Sequence, residues 1–164
     1  MCIAYLLIGG NIGNRPENLS EAVRLISKRA GRIDAVSAVF ETAPWGLADQ
    51  DPFLNQAIAV NTSLEAENLL KVLLSIELEM GRLRQTKNGP RVIDIDILFY
   101  GNEIIDTTIL KVPHPLLAER RFALVPLCDL IPDFVHPVLN QKLSRLLEIC
   151  PDPLPVSLFE PTAS

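Results

Sequence analysis

The chain has 164 residues, enough for one domain around a single core, and 48% of them are apolar, so burial can offset the entropy of ordering the backbone. Its formal charge of −5, from 15 basic and 20 acidic residues, argues against general affinity for nucleic acid or anionic membrane, since both would repel it. The three cysteines, Cys2, Cys128 and Cys150, form no CxxC pair and stand beside only two histidines, which argues against a disulfide framework or a structural zinc site and for reduced thiols in a cytoplasmic protein.

Residues 3–8 are continuously apolar, the pattern of a central strand covered on both faces rather than of a signal peptide. No run reaches the ~20 apolar residues of a membrane span. Residues 9–14 read as a turn. Asn14 with Glu17 suits a helix N-cap and its partner, and Pro16 is tolerated in a first turn. Leu19, Val23, Ile26 and Ala30 then recur at helical spacing, and Gly31 ends the helix. Residues 32–42 alternate around Ile33, Ala35 and Val39 and are expected to form a strand. Residues 43–52 form a loop. In residues 53–62, Leu54, Ile58 and Val60 share one strand face, while Phe53, Asn55, Ala57 and Ala59 share the other.

Ser63 is expected to cap a second helix with the stripe Leu69, Leu73, Ile76 and Met80, stopped by Gly81. Residues 82–90 are polar and basic. Residues 92–100 form a strand followed by the turn Gly101-Asn102. A short hairpin or extended segment comes next, with two short helices near 121–130 and 143–150. Four prolines mark 151–164 as an extended tail after a single domain spanning 1–150. The order strand–helix–strand, strand–helix–strand is the split βαβ pattern of an α+β, ferredoxin-like sheet with helices on one face, here carrying a C-terminal helical extension.

The segment richest in chemistry is Arg91-Val92-Ile93-Asp94-Ile95-Asp96-Ile97-Leu98. Strand alternation puts Asp94 and Asp96 on one face and the isoleucines on the other, and the isoleucines hold that register. Two such aspartates stand ~6.5–7 Å apart along the strand and can flank one Mg²⁺ or share two. Like charges this close repel, so a cation favours the pair, and oxygen ligands with no Cys or His nearby suit magnesium. Taken alone, such a pair is more often a solvated sheet face. The four cations Arg82, Arg84, Lys87 and Arg91 just upstream tip the balance toward a small polyanion with its metal, such as a nucleoside triphosphate.

His114 lies between Pro113 and Pro115, ahead of Arg120 and Arg121, and can donate to a phosphate. His136 lacks such a context and reads as structural. Gly9-Gly10-Asn11-Ile12-Gly13 follows a strand but is not GxGxxG, and no suitably spaced acid follows the next strand; its glycines suit a tight turn and close approach of a ligand. Asn55, beside Phe53 and below the loop Thr42-Ala43-Pro44-Trp45-Gly46, offers donors and acceptors that can read the edge of a flat heterocycle; a packed aromatic with a capping amide is the competing reading.

These motifs occur together, and in order, in one family. Ile8-Gly9-Gly10-Asn11, Glu41-Thr42-Ala43-Pro44-Trp45-Gly46, Phe53-Leu54-Asn55, Ile76-Glu77-Leu78-Glu79-Met80-Gly81-Arg82, Gly89-Pro90-Arg91 with Asp94-Ile95-Asp96, Val112-Pro113-His114 and Arg120-Arg121-Phe122 resemble the 6-hydroxymethyl-7,8-dihydropterin pyrophosphokinases of folate biosynthesis over residues 4–147. The resemblance implies a cytoplasmic, monomeric transferase that moves the terminal diphosphate of its co-substrate ATP to the hydroxymethyl group of the dihydropterin, releasing AMP. It implies two Mg²⁺ on Asp94 and Asp96, and small-molecule partners with neither nucleic acid nor membrane. Arg82 and Arg91 would join the two aspartates in catalysis. Arg82, Arg84, Arg91, His114 and Arg120 would neutralise or orient phosphates, and Glu77 and Ile97 would belong to the nucleotide site. Asn55 would pair with the pterin edge, helped by Gly9, Thr42, Ala43, Pro44, Trp45 and Asp94, with Phe53 and Phe122 sandwiching the ring. Such a reaction needs positioning and charge neutralisation more than covalent chemistry. The family's pattern is departed from at Gly10, Leu74, Asn88 and Pro115, which bears on the lid and the adenine contacts and not on metal or phosphate. Segments 43–52 and 82–90 are expected to close over the site.

Overall fold

The computed structural model describes residues 1–42, 51–81 and 92–160. Strand β1 (Cys2–Gly10) is followed by helix α1 (Arg15–Arg29), strands β2 (Arg32–Val36), β3 (Phe40–Thr42) and β4 (Phe53–Thr62), helix α2 (Ala66–Glu79) and strand β5 (Asp94–Tyr100). A hairpin of β6 (Ile105–Asp106) and β7 (Lys111–Val112), helices α3 (Arg121–Leu130) and α4 (Leu143–Glu148), and strand β8 (Val156–Leu158) complete the described chain. The main sheet runs β5-β1-β4-β3-β8, with β2 also pairing β4, and each of these pairings is antiparallel. This is the split βαβ arrangement of an α+β fold.

The strand alternation sorts the core into two layers. Ala4, Leu6, Ile8, Leu54, Ile58, Val60, Ile95 and Ile97 face α1 and α2, meeting Leu19, Ala22, Ile26, Leu69, Leu73 and Ile76. Burying one Leu or Ile contributes about 1.5–3 kcal/mol, so a one-residue slip of β1 or β5 would forfeit several such terms at once. Leu7, Ala57, Leu98 and Phe99 face the other way, onto Leu124, Leu127, Leu143 and Leu146. The two helices of the split βαβ unit therefore share one face, and α3 and α4, the C-terminal helical extension, cover the second. That second layer exists because β1 is apolar at both phases, as a doubly covered strand must be.

Several local expectations also change. The strand expected over 32–42 is divided, since Ser37 is buried and its hydroxyl accepts the Ala57 N–H at 2.9 Å, interrupting the regular ladder to β4 between the stretches that form β2 and β3. Gly9 and Gly10 are paired strand residues opposite Asn55 and Leu54, not turn residues. Asn14 does cap α1, accepting the Glu17 N–H at 3.2 Å, but Ser63 does not cap α2, whose N-cap is Glu65 without a side-chain bond. Gly81 ends α2 at φ +94. Gly31 serves a different purpose from a left-handed cap: a Cβ there would lie 2.3 Å from the Asn61 carbonyl oxygen, so its lack of a side chain lets β4 pass. The strand expected from residue 92 begins at Asp94, with Ile93 fully buried just before it.

Candidate functional site

Three strands build the site by register. Gly9 of β1 pairs with Asn55 on one side and Asp94 on the other, so Asn55, Gly9 and Asp94 form one row across the sheet. Directly paired residues in an antiparallel sheet point to the same face. The next row is Ala57, Leu7 and Asp96. Both aspartates therefore lie on the face that carries α3, while Ile93, Ile95 and Ile97 are buried toward α1 and α2. Two strand spacings separate Asp94 from Asn55, about 10 Å, the span of a two-ring heterocycle with a one-carbon arm.

The amide end of that row is rigid. Asn55 is 5% exposed and donates from Nδ2 to Thr42 Oγ1 at 3.1 Å, and Thr42 is itself buried. Its Oδ1 lies over Gly9, where a Cβ would come within 2.2 Å. Thr42 pairs with Phe53, so Phe53 stands on the same face as Asn55, two residues along. The loop onward from Thr42 begins outside the described residues, and with it Ala43, Pro44 and Trp45.

Asp94 and Asp96 are half-buried. Among the described residues, no group of three or more His, Cys, Asp or Glu side chains converges to hold a metal. Two carboxylates, with no third such ligand converging among the described residues, fit Mg²⁺ that completes its shell with water and phosphate oxygens better than a closed protein cage.

The cationic end is only partly described. Arg82, Arg84 and Arg91, with the rest of the 82–90 segment, lie outside the described residues. His114 and Arg120 lie within them. The His114 N–H donates to the Leu98 carbonyl at 3.0 Å, tying the residue to β5. Its Nδ1 accepts the Leu116 N–H at 3.2 Å, which leaves the ring proton on Nε2. Burial, and then the Arg120 charge, push its pKa down to about 4 against the opposing pull of Asp94. His114 is therefore a neutral donor near pH 7: it can orient an anion, but carries charge only once an anion raises its pKa. Arg120 stands over Phe122, with Cζ 5.6 Å from the ring centroid, at the start of α3.

The structure does not bring Glu77 and Ile97 to the aspartate face. Ile97 is 5% exposed in the layer under α1 and α2. Glu77 is buried, and its Oε2 accepts the Ile95 N–H at 2.6 Å. That bond satisfies the outer edge of β5 between the two aspartates, so the carboxylate helps set the strand.

Two supports escaped the sequence reading. Asn11, 4% exposed, donates to the Asp51 carbonyl at 2.9 Å and ties the end of β1 to the approach to β4. Arg15 donates to Glu41 Oε2 at 2.7 Å and to the Pro52 carbonyl at 3.0 Å, bracing β3. Asn11 and Glu41 stand inside the quoted motifs, which was the available signal; nothing in the sequence pairs Arg15 with either.

The family model of the 7,8-dihydro-6-hydroxymethylpterin-pyrophosphokinases (HPPK) matches residues 5–132. The chain is 46% identical over 136 residues to the 2-amino-4-hydroxy-6-hydroxymethyldihydropteridine pyrophosphokinase of Methylorubrum extorquens, covering 82% of this chain and 86% of that one. It is 42% identical over 144 residues to the folic acid synthesis protein FOL1 of Dictyostelium discoideum, covering 88% of this chain and 22% of that protein, so it spans about a fifth of that relative's length. The HPPK-DHPS of Plasmodium falciparum solved with SDX-DHP superposes with a TM-score of 0.72 at 20% identity, covering 90% of this chain and 43% of that one. At that identity the likeness is one of fold.

Proposed function

Because the chain belongs to the 7,8-dihydro-6-hydroxymethylpterin-pyrophosphokinase family, we propose that it transfers diphosphate from MgATP to the hydroxymethyl group of 6-hydroxymethyl-7,8-dihydropterin, releasing AMP. The observation that carries the reading is the row Asn55–Gly9–Asp94. It holds a reader of heterocycle edges and a metal-binding acid a substrate's length apart on one rigid sheet.

Asn55 holds the pterin edge through the Nδ2–H and Oδ1 positions that Thr42 leaves available, and Gly9 leaves the room. Phe53 and Phe122 flank the ring. Asp94 and Asp96 would hold two Mg²⁺ together with the triphosphate, and bound metal there would supply neutralisation of the developing charge and a more acidic substrate hydroxyl. His114 donates through Nε2–H and Arg120 through its guanidinium, orienting phosphate oxygens. Arg82, Arg84 and Arg91 complete the clamp, and Ala43, Pro44 and Trp45 close the pterin side. Positioning the hydroxyl in line with the β-phosphorus supplies much of the rate, since holding two reactants in place can be worth about 7–11 kcal/mol. Glu77 contributes by fixing the β5 edge and Ile97 through its backbone.

The enzyme acts as a cytoplasmic monomer on diffusible substrates. Its cysteines are free, and among the described residues no helix is long and apolar enough to cross a membrane. The test is product identity. With MgATP and the hydroxymethyldihydropterin, AMP must appear in step with the pterin diphosphate. ADP as the product, or AMP formed equally well without the pterin, would refute the assignment.

A further inference from the structure

The family model ends at residue 132, yet the chain beyond it returns to the site along two routes. At one end, Asp152 is 3% exposed, and its Oδ2 accepts the Arg121 N–H at 3.0 Å. Helix α3 has no side-chain cap of its own, so this distant carboxylate satisfies its first turn and sits favourably against the helix dipole. Arg121 replies with Nε to the Asp152 carbonyl at 3.0 Å, and Oδ1 accepts the Leu154 N–H at 3.0 Å. Arg120 and Phe122, on either side of Arg121, are site residues in the reading above.

At the other end, β8 pairs with β3, Thr42 opposite Val156 and Phe40 opposite Leu158. Phe159 donates its N–H to the Val39 carbonyl at 2.9 Å and packs on the main core. Arg15, which also holds Glu41, places Cζ 5.7 Å from the Phe159 ring. Thr42 is the hydroxyl that orients Asn55. Only Pro153, Leu154 and Pro155 separate Asp152 from β8, and two prolines in three residues leave that bridge little freedom.

We propose that residues 150–159 form a strap that positions the pterin pocket, with Asp152 as its positioning residue. The proposal rests on the pyrophosphokinase reading. The strap joins the wall carrying Phe122 to the wall carrying Thr42 and Asn55, and so holds their separation. Without it, β3 is a three-residue edge strand and α3 begins with an unmet donor. The Thr42 end of the strap serves the pterin side alone, and the Arg121 end adjoins both Phe122 and the phosphate-orienting Arg120, so the strap acts more on pterin binding than on the nucleotide.

Three variants test this. Asp152→Ala removes both accepted bonds. Asp152→Asn keeps an amide oxygen for one of them. Ser157→Pro removes a backbone donor at an exposed position: with Phe159 donating to Val39, the two-residue alternation makes Ser157 the next donor toward β3. KM for each substrate, kcat and Tm are measured, and pterin binding is followed directly by its fluorescence with Mg²⁺ and a non-hydrolysable ATP analogue. Loss of a buried charge-assisted bond predicts a pterin KM and Kd raised about tenfold in Asp152→Ala, with Asp152→Asn intermediate, Ser157→Pro raised in the same direction, and the ATP KM within about twofold. If Asp152→Ala does not fold, Ser157→Pro decides. Unchanged pterin affinity in the folded variants overturns the strap, as does a parallel loss for both substrates that merely follows Tm. A wild-type chain that binds pterin but makes no AMP refutes the enzymatic reading instead, and the binding measurement still judges the strap.

Discussion

Replacing Gly9 with alanine tests the row at its centre. The new Cβ would lie 2.2 Å from Asn55 Oδ1 and 2.8 Å from the Leu54 carbonyl oxygen. The amide must retreat by about 1 Å to reach ordinary contact, and the 3.1 Å bond from Asn55 to Thr42 breaks as it goes. Both groups are buried, so unpairing them costs about 1–3 kcal/mol. The Leu54 carbonyl belongs to the β1–β4 ladder and moves only if the pairing bends, adding about 1–2 kcal/mol of overpacking. For a chain of this size the sum lowers Tm by about 5–15 °C and raises the pterin KM while leaving the ATP KM nearly constant. The assay is a double-mutant cycle with Asn55→Ala, read by thermal melting and by both KM values. Removing the amide relieves the first clash, so Gly9→Ala should cost about 1–3 kcal/mol less in that background. An equal cost in both backgrounds would refute the claim that Gly9 is glycine to make room for Asn55.

Asp94→Asn and Asp96→Asn should each keep the wild-type melting curve to within a few degrees and lower kcat by about 10²–10³-fold or more, with rising Mg²⁺ restoring little; steady-state AMP release against Mg²⁺ concentration checks this. Glu77→Ala leaves the Ile95 N–H at the β5 edge without its 2.6 Å acceptor and should destabilise the chain by about 1.5–3 kcal/mol, with Glu77→Gln costing less, as read from urea midpoints. His114 has its pKa pushed from 6.5 down to about 4 by burial, then by Arg120. The unfolded imidazole takes a proton below about 6.5 and the folded one does not until about 4. Stability is thus full above pH 6.5 and falls as pH drops through that window, at about 1.4 kcal/mol per unit. Denaturation midpoints at pH 7.5 and 5 check the slope, which His114→Gln should largely flatten, leaving the smaller share of His136, whose pKa burial also lowers.

The facing of the two aspartates was readable because strand alternation is a strict rule: Asp94 and Asp96 between core isoleucines admit one orientation, and Asn55 and Phe53 lie in a strand whose phase is plain, whereas Gly9 reads as a turn residue and is in fact paired with Asn55. What escaped depends on pairing across the chain. The break at Ser37 arises from a hydroxyl that meets Ala57, twenty residues away, and no local pattern announces it. Gly31 looks like a helix stop, and its actual constraint is the passage of β4. Glu77 also accepts a bond from the β5 edge, a role visible only once α2 is laid beside β5. The proline-spaced segment after residue 150 reads as a tail, yet Asp152 and β8 fasten it to α3 and β3; a three-residue strand between prolines carries too little periodicity to declare itself.

The affinity of a non-hydrolysable ATP analogue, titrated with and without Mg²⁺ into the wild-type chain and into Asp94→Asn/Asp96→Asn, reads most directly whether the two carboxylates hold nucleotide through metal. Binding should tighten strongly with Mg²⁺ in the wild type and lose that dependence in the double variant. Equal affinity with and without the ion in the wild type, or full Mg²⁺ dependence without the aspartates, would contradict it.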